Sequence, residues 1–410
     1  MKKTFCRMCK SKKLRKFLDL GNQPLSDGFL TKEMINLGKE KKYPLQVCMC
    51  MNCGNLQLAH TVPANEMFGD NYLYESGITK AVKTHFAGLA EELCKEFSLG
   101  KDTLVIDIGS NVGALLESFK EHGTKVLGID PASRVAKIAV ARGVPTINEF
   151  FSYELARKIV QEYGHAKIIT GTNVFAHIDD LYGLMEGINE LLDKDGVFVV
   201  EVPHFLELVN NLEYDTIYHE HASYILIKPT QAFLQKQGFE IFKIKKTSMH
   251  GGTLRIFIAR QKTRPVSDSV KEIIEIEKKQ KIFSLKKLKQ FAGKVKQQKK
   301  ELIKLLTKLK KQKKKIVGAG AAAKGNTLLN YCKINTNFLG YITDKSELKI
   351  GRYTPGTHIP IYNDQKLLED MPDYVLILAW NFAEEIMHNL SAYKEKGGKF
   401  VIPIPLVEVV

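Results

Sequence analysis

An apolar run that ends in a glycine-rich turn constrains this chain more than any other stretch. Residues 104–108 (Leu-Val-Ile-Asp-Ile) have the pattern of a buried strand, residues 109–113 form the turn, and residues 114–121 have the pattern of a helix. A strand, a glycine-rich turn and a helix in this order open a doubly wound parallel sheet with a nucleoside-binding crevice. The sequence therefore predicts an α/β fold with a cofactor site at this turn.

The residues around the turn favour S-adenosylmethionine over a dinucleotide. A pyrophosphate needs a helix N-terminus without negative charge beside it. Here Asp107 stands at the end of the strand, where it would repel a pyrophosphate but could bind the charged amino-acid moiety of S-adenosylmethionine. Asp130 follows the next predicted strand, Lys125–Ile129, and is placed to accept hydrogen bonds from two ribose hydroxyls. The predicted cofactor-binding residues are Asp107, Gly109, Asn111, Gly113, Asp130, Asn173 and Glu201.

Two further predicted strands, residues 166–170 and 197–201, bring polar groups to the same edge of the sheet. Glu201 ends the second strand, and Asn173 and His177 follow the first. Ligands of open α/β sheets bind beyond the carboxyl ends of the strands, so these side chains are expected to face the cofactor or its target. The segment 218–221, Tyr-His-Glu-His, lies beyond the same edge and carries groups that can transfer a proton near neutral pH.

An antiparallel strand pair is predicted at the end of this sheet. The two strands are residues 239–245 and 253–260, joined through His250, Gly251 and Gly252. His250 and Arg255 are secondary candidates for binding charged groups of a substrate.

The cysteines are concentrated at the start of the chain. Cys6 and Cys9, and Cys50 and Cys53, have the spacing of two thiolate knuckles that close a tetrahedral zinc site. Cys48 offers a further thiol, and although the two-residue gap favours Cys50, the sequence alone leaves the choice open. Four thiolates leave no open coordination position, so the predicted zinc is structural.

Most of the positive charge of the chain lies in one segment. The 410 residues have a formal net charge of +16, and residues 264–315 contain nineteen Lys and Arg against five Asp and Glu, which is +14 of that total. Apolar residues recur there at steps of three and four, so residues 266–312 predict one long helix with basic, solvated faces. A connector packed on a neighbouring domain is favoured over a coiled-coil dimer, and nucleic-acid binding is not expected.

The last hundred residues predict a second α/β unit. A strand at residues 315–319 runs into a glycine-rich turn, and Lys324 stands in the first turn of the following helix, where an anion would bind. Two crevices in one chain suggest a cofactor in one and a nucleotide-activated substrate in the other. The predicted substrate-binding residues are Lys324, Asn326, Asp344, Tyr353, His358 and Asn381.

With these motifs in view, the chain resembles the sugar C-methyltransferases that act on nucleotide-linked keto-deoxysugars. The matching stretches are the two cysteine pairs and residues 21–25, 107–113, 218–221, 250–252, 320–326 and 355–360. The resemblance implies a zinc-binding domain (1–75), a class I methyltransferase core (80–262), a long connecting helix (266–314) and a Rossmann-like domain (315–410) that helps to hold the sugar nucleotide. Thr253 and His204 depart from the pattern of the family.

The resemblance also implies which residues line the reaction centre. These are the Tyr-His-Glu-His segment, His177 and a tyrosine of the N-terminal domain, which is Tyr72 with Tyr74 as a near neighbour. A carbon next to a ketone loses its proton only to a base within reach while donors stabilise the enolate oxygen. His221 is the expected base, with Tyr218 as its rival; Tyr218 and His177 would stabilise the enolate, and Glu220 would orient an imidazole or a sugar hydroxyl.

The alternatives are an O-methyltransferase acting on a sugar hydroxyl and, ranked last, a nucleic-acid-binding module. The expected ligands are S-adenosylmethionine, a structural zinc ion and a nucleotide-linked sugar, without nucleic acid or membrane, in a monomer or weak homodimer. No apolar run reaches the length of a bilayer span and the N-terminus lacks the apolar stretch of a signal peptide, so a cytoplasmic protein is expected.

Overall fold

Within residues 1–69, 72–77, 79–247 and 252–410, which this computed structural model describes, the chain forms three sheets of four, seven and six strands. We refer to residues 1–75, 80–262 and 315–410 as the N-terminal, central and C-terminal modules. No helix in the described ranges is both long and apolar enough to cross a bilayer.

The N-terminal module is an antiparallel sheet that ends at the cysteine cluster. Its elements are β1 (Leu14–Gln23), α1 (Lys32–Asn36), β2 (Tyr43–Cys50), β3 (Leu56–Leu58) and α2 (Ala64–Met67). Cys50 is the last residue of β2, and the chain turns back into β3 through Gly54, whose φ of +85° only glycine adopts without strain. The second cysteine pair therefore sits on a tight turn between two paired strands.

The central module is a seven-stranded sheet with helices between its parallel strands. Its elements are α3 (Lys80–Glu96), β4 (Leu104–Ile108), α4 (Ala114–Glu121), β5 (Lys125–Ile129), α5 (Ser133–Ala141), β6 (Thr146–Ile147), α6 (Tyr153–Tyr163), β7 (Ala166–Thr172), α7 (Leu181–Leu191), β8 (Leu192–Pro203), α8 (Phe205–Asn210), β9 (Ser223–Tyr224), α9 (Ile227–Lys236), β10 (Phe239–Thr247) and β11 (Thr253–Arg260). A 3₁₀ turn, Tyr214–Thr216, precedes β9.

The strand order of this sheet, β10-β11-β8-β7-β4-β5-β6, confirms the predicted doubly wound fold with an antiparallel end. β4 is buried along its whole length, as expected of a parallel strand covered by helices on both faces. The chain winds outward from β4 in both directions, through β5 on one side and β7 on the other. This reversal creates the crevice in which such sheets bind ligands. His250 and Gly251, between β10 and β11, lie outside the described residues.

β9 leaves the central module and completes the N-terminal sheet. Tyr224 and Ser223 pair with Leu56 and Gln57 of β3, giving the strand order β1-β2-β3-β9. The Tyr-His-Glu-His segment directly precedes β9, so its position depends on the N-terminal module.

The prediction of one long helix over residues 266–312 is wrong, because two helices occupy this segment. They are α10 (Asp268–Lys279) and α11 (Leu285–Lys311). α10 packs through Val270 and Ile273 on the core of the central module. α11 packs on a different core, which it shares with the N-terminal and C-terminal sheets. One straight helix cannot serve both cores, and the chain changes direction near Lys281, whose φ is +54°.

The C-terminal module repeats the architecture of the central one on a smaller scale. Its elements are β12 (Ile316–Ala319), α12 (Ala323–Cys332), β13 (Ile342–Thr343), β14 (Ile361–Tyr362), α13 (Asp364–Asp370), β15 (Tyr374–Ile377), α14 (Ala383–Asn389), α15 (Ser391–Glu395), β16 (Lys399–Ile402) and β17 (Glu408–Val409). The order is β14-β13-β12-β15-β16-β17, parallel except for β17. This confirms the predicted second α/β unit.

Candidate active site

A cavity of about 850 Å³ lies where the three modules meet. Asp27 and Tyr72 reach it from the N-terminal module, the glycine-rich turn after β4 borders it in the central module, and Lys324 lines it from the C-terminal module. All five residues predicted to be catalytic line this one cavity: Tyr72, His177, Tyr218, Glu220 and His221.

The turn after β4 is held by the carboxylate of Asp130. Its two oxygens accept hydrogen bonds from the backbone amides of Asn111 (2.8 Å) and Ala132 (2.9 Å). Gly109 has a φ of +72°, and a Cβ at this position would come within 2.4 Å of a methyl group of Val174. The backbone thus passes close to the loop that follows β7, where only glycine fits, as in the tight turns that bind nucleosides.

Asp107 lies beneath this turn with little to balance its charge. Burial, and then the neighbouring Asp130, raise the pKa of Asp107 to about 7, although Thr170 Oγ1 donates a hydrogen bond of 2.6 Å to it. A cationic group bound nearby would favour the ionised carboxylate. S-adenosylmethionine carries an ammonium and a sulfonium group, so the residues at this end of the cavity fit that cofactor.

The other predicted cofactor residues have partners within the protein. Asn111 accepts a hydrogen bond from the amide of Ser76 (2.8 Å) and donates one to the carbonyl of Tyr74 (3.1 Å), which ties the segment 72–77 to the turn. Asn173 lines the cavity, and its backbone N–H donates to the backbone carbonyl of Glu201 (2.7 Å). Gly113 lies outside the cavity lining and begins α4 with a φ of +78°.

Glu201 belongs to a charged group that the sequence does not reveal. His85 Nε2 on α3 and Arg255 Nε each lie 2.7 Å from its carboxylate. Although burial opposes the effect, the hydrogen bond from His85 and the charge of Arg255 hold the pKa of Glu201 below its ordinary value. His85 also lines the cavity. It sits in an amphipathic helix without a motif, so sequence reasoning missed it.

Four rings form a column at the reaction end of the cavity. Phe68 stacks on His177 with ring centres 5.6 Å apart, His177 stacks on His221 at 5.1 Å, and His221 contacts Tyr218 at 4.2 Å. Burial, together with His221, lowers the pKa of His177 well below its ordinary value. His177 is therefore neutral at physiological pH and can donate only one hydrogen bond at a time.

The hydrogen bond of His221 fixes the tautomer of its neutral ring. Nδ1 lies 2.8 Å from the carbonyl oxygen of Thr216, which can only accept, so Nδ1 carries the proton. The lone pair of the neutral ring is then on Nε2, the nitrogen that can accept a proton. Burial raises the pKa of Tyr218 well above its ordinary value, so its phenol keeps its proton and acts as a donor.

The structure distinguishes the two candidate tyrosines of the segment 72–77. Both line the cavity. The ring of Tyr72 packs against Phe68 at 5.5 Å and thereby joins the column, whereas Tyr74 is 43% exposed. The position of Tyr72 agrees with its predicted place at the reaction centre.

Glu220 and Asp27 bring two carboxyl groups to the same wall. Ser26 Oγ donates to Glu220 Oε2 over 3.1 Å, and burial, followed by the charge of Asp27, raises the pKa of Glu220 to about 7. The sequence analysis missed Asp27. It lies two residues beyond the matching stretch 21–25, which is the signal that could have found it.

Lys324 and Asn381 are the two predicted substrate residues that line the cavity. Within the described ranges, Lys324 Nζ is inaccessible and has no hydrogen-bond partner. It lies 4.7 Å from the centre of the Trp380 ring, whose Nε1 donates to Asp215 Oδ2 over 2.7 Å. Burial lowers the pKa of Lys324, although the charges of Asp215 and Glu213 oppose this effect.

The other predicted substrate residues lie outside the cavity lining and join parts of the protein to one another. Asn326 Nδ2 donates to the carbonyl of Ser26 (2.7 Å), and His358 Nε2 lies 3.2 Å from Glu40. Tyr353 pairs through its backbone with Leu30. Asp344 accepts from the amide of Ala321 (2.6 Å) and so holds the glycine-rich turn of the C-terminal module as Asp130 holds that of the central module.

The four predicted metal ligands converge at the end of the N-terminal module. The Sγ atoms of Cys6, Cys9, Cys50 and Cys53 all lie within 4.8 Å of one another. Zinc–sulfur bonds of about 2.3 Å place the sulfurs of a tetrahedral site about 3.8 Å apart, so this cluster fits a zinc ion. Cys48 is not part of the cluster and lies on β2 opposite Lys16 of β1, which resolves the choice in favour of Cys50.

Comparisons with known proteins match three consecutive parts of the chain. Three family models match: "Putative zinc binding domain" at residues 6–68, "Methyltransferase domain" at 83–244 and "C-methyltransferase C-terminal domain" at 248–405. Among curated proteins, C-methyltransferase NovU of Streptomyces niveus is 32% identical over 406 residues, which cover 99% of this chain and 96% of NovU.

The likeness to solved structures is more distant. The PH0226 protein of Pyrococcus horikoshii OT3 has a TM-score of 0.38 at 15% identity, covering 46% of this chain and 95% of its own. Magnesium protoporphyrin IX methyltransferase of Synechocystis PCC 6803 with bound SAH has a TM-score of 0.36 at 16% identity, covering 46% of this chain and 90% of its own. At these scores nothing further is drawn from either structure.

The full-length match to NovU and the three consecutive family models confirm the predictions of an enzyme, a methyltransferase and a zinc-binding N-terminal domain. The turn with Asp107 and Asp130 fits S-adenosylmethionine as the methyl donor. The chain therefore belongs to the family of S-adenosylmethionine-dependent C-methyltransferases that join a zinc-binding domain, a methyltransferase domain and a dedicated C-terminal domain.

Proposed function

We propose that this enzyme methylates a carbon next to the ketone of a nucleotide-linked keto-deoxysugar, through an enolate formed with the help of His221. The observation that carries the proposal is the position of His221, whose Nε2 is the basic nitrogen and whose ring lies in a cavity shared by the cofactor turn and Lys324. A carbon acid needs such a base within hydrogen-bond reach.

The surrounding groups support an enolate intermediate. Tyr218 and His177 flank His221, and each can donate a hydrogen bond to an oxygen on which negative charge develops. The neutral state of His177 suits this role, because a neutral ring can donate a hydrogen bond without adding a buried positive charge. Bound S-adenosylmethionine would supply an electrophilic methyl group from the side of the glycine-rich turn.

The C-terminal wall of the cavity supports a nucleotide-linked substrate. Lys324 stands at the start of α12 and presents a buried cation next to the indole of Trp380. A phosphate group would satisfy both the ammonium and the amide groups of the helix start. Asn381 lines the same wall and offers a further donor and acceptor. The two ends of the cavity would thus position the sugar between nucleotide and methyl donor.

The relative whose function is named favours carbon over oxygen as the methylated atom. NovU is a C-methyltransferase, and the C-terminal family model carries the same description. O-methylation needs one base and no stabilisation of an enolate, so the additional donors at His177 and Tyr218 would have no evident task in that reaction.

We also propose that the chain is divided at residues 1–75, 80–262, 266–314 and 315–410 and acts as a monomer or weak homodimer. β11 belongs to the sheet of the central module, so the second boundary is drawn after it. The two helices between the modules then form the connector.

The test compares three variants in the presence of S-adenosylmethionine and a panel of nucleotide keto-sugars. His221→Ala should abolish methylation and also the exchange of substrate hydrogen for solvent deuterium, while cofactor affinity stays within about threefold, because the ring is the base and not a cofactor contact. Turnover and NMR-detected exchange are the measurements. The exposed His165 provides the control His165→Ala, which should behave as wild type.

Exchange at the wild-type rate in His221→Ala would contradict the assignment of the base. If Tyr218→Phe instead abolishes exchange while His221→Ala retains it, Tyr218 is the base. Absence of methyl transfer to every keto-sugar by the wild-type enzyme would contradict the proposed substrate class.

A further inference from the structure

The loop between β1 and α1 brings Asp27 to the wall of the active-site cavity. Its neighbour Ser26 is fixed from two sides. The side chain of Ser26 donates to Glu220 (3.1 Å), and its carbonyl accepts from Asn326 of α12 (2.7 Å). The backbone amide of Asp27 also donates to the Glu220 carboxylate. Asp27 is therefore held next to Glu220 by contacts with both other modules.

The surroundings of these two carboxyl groups do not favour two negative charges. The ionisable groups that face them are the phenols of Tyr72, Tyr74, Tyr218 and Tyr224 and the ammonium of Lys349. Lys349 is also engaged elsewhere, because its Nζ donates to the carbonyl of Ala321 (2.8 Å) and lies 4.0 Å from Asp344. Two neighbouring carboxyl groups with a shared and incomplete counter-charge retain one proton between them.

We propose that Asp27 is a positioning residue that keeps Glu220 protonated, so that Glu220 meets the substrate as a hydrogen-bond donor and not as a base. This inference rests on the proposed function. The proton stays on Glu220 throughout: its O–H donates to an oxygen of the sugar, and the bond strengthens as negative charge develops on the enolate. Burial raises the pKa of both carboxyl groups, but the ammonium of Lys349 favours the ionised form of Asp27 alone, and the charge of Asp27 then favours the protonated form of Glu220.

The neighbouring groups limit what Glu220 can otherwise do. His221, the proposed base, already has an acceptor for its Nδ1 proton in the carbonyl of Thr216, so Glu220 is not needed to orient that ring. Ser26 Oγ and the backbone amide of Asp27 both donate to the Glu220 carboxyl group, and a protonated carboxyl can accept these bonds and still donate its O–H to a ligand. The proposed role differs from the prediction that Glu220 orients an imidazole, and keeps the predicted alternative in which it acts on the sugar.

The first experiment measures the proton directly and needs no substrate. Infrared titration of the full-length zinc-bound protein should show a protonated carboxyl band that is absent in Glu220→Gln and has its midpoint near pH 7. In Asp27→Asn the midpoint should fall by about one unit or more, because the neighbouring charge is gone. Asp19→Asn is the control, since Asp19 lies in the same module but on the surface, paired with Lys16. An unchanged midpoint in Asp27→Asn overturns the proposal.

The second experiment measures turnover against pH. Glu220→Gln keeps a donor and should retain roughly a tenth or more of kcat, whereas Glu220→Ala should lose far more. In the wild type kcat should fall as pH rises through the midpoint of Glu220, and Asp27→Asn should move that limb to lower pH. In Glu220→Gln this fall of kcat with rising pH should be absent. Equal inactivity of the Gln and Ala variants overturns the role of Glu220 as a donor.

The two experiments separate this inference from the proposed function. A shifted infrared midpoint in Asp27→Asn supports the shared proton whether or not a keto-sugar is methylated. If no keto-sugar is methylated, the proposed substrate class fails, and the positioning role of Asp27 fails with it. An unshifted midpoint in an enzyme that methylates keto-sugars leaves the proposed function standing and removes only the role of Asp27.

Discussion

Lys324 is a residue that destabilises the fold but is suited to ligand binding. A buried ammonium without a hydrogen-bond partner in the described chain is unfavourable. It is tolerated here beside the indole of Trp380 and near Asp215 and Glu213. Burial raises the pKa of Asp215 to about 6 and that of Glu213 to about 7, so these counter-charges are lost as the pH falls from neutral into the acidic range. An anionic ligand group would supply one more.

Replacement of this lysine tests that role. Lys324→Met should raise the KM for the nucleotide-linked sugar by roughly 10- to 100-fold with little change in kcat or in cofactor affinity, because a charge-assisted hydrogen bond contributes about 1.5–3 kcal/mol. Steady-state kinetics and calorimetry measure these quantities. Lys345→Met, at an exposed position of the same module, should leave KM unchanged. A lower kcat at unchanged KM would exclude a binding role for Lys324.

At the scale of elements, local patterns were predicted well and interactions between distant segments were not. The strand β4, its turn and α4 occupy the predicted residues, because hydrophobic period and glycine positions determine them locally. The break between α10 and α11 was not predicted, because α10 is held against α9 by Glu277, whose burial no sequence pattern reveals. Its carboxylate accepts from the amides of Ile227 (2.6 Å) and Lys228 (3.2 Å) at the start of α9 and contacts His204 (3.0 Å).

Loss of this carboxylate should destabilise the protein. Glu277→Ala leaves two backbone amides and the ring of His204 without their acceptor. The site is buried, since the side chains of His204 and Glu277 are 1% and 0% exposed. We expect the free energy of unfolding to fall by about 3 kcal/mol or more, measured by denaturant titration. Glu275→Ala, on the exposed face of the same helix, removes a surface pair with Lys278 and should cost less than about 1 kcal/mol. Equal losses would contradict the structural role of Glu277.

At the scale of the molecule, the site is assembled from segments far apart in the chain. Sequence reasoning found the cofactor turn, the Tyr-His-Glu-His segment, the cysteines and Lys324, because each belongs to a local motif. It assigned Asn326 and His358 to the substrate, whereas they join the C-terminal module to Ser26 and Glu40. It missed Asp27 and His85, which become site residues only when separate modules or a helix and a strand come together.

The zinc cluster should therefore affect catalysis without touching the reacting atoms. Cys50→Ser should lower the zinc content, the thermal midpoint and kcat, because the N-terminal module carries Asp27 and Tyr72 and pairs with β9. Binding of S-adenosylmethionine should be less affected, since the turn after β4 belongs to the central module. Metal analysis, thermal unfolding and calorimetry give these values. Cys48→Ser is the matched control two residues away, and a zinc loss equal to that of Cys50→Ser would contradict the ligand set.

The pairing of β9 with β3 also limits how members of this family can be recombined. A chimaera that takes residues 80–262 from a relative would bring a foreign edge strand to the sheet of the recipient, and any mismatch at Ser223 or Tyr224 would be passed on within two residues to His221. A chimaera that takes residues 1–262 from one protein as a single piece keeps the pairing of β3 with β9 intact. Specificity engineering by domain exchange should accordingly place its crossover after β11.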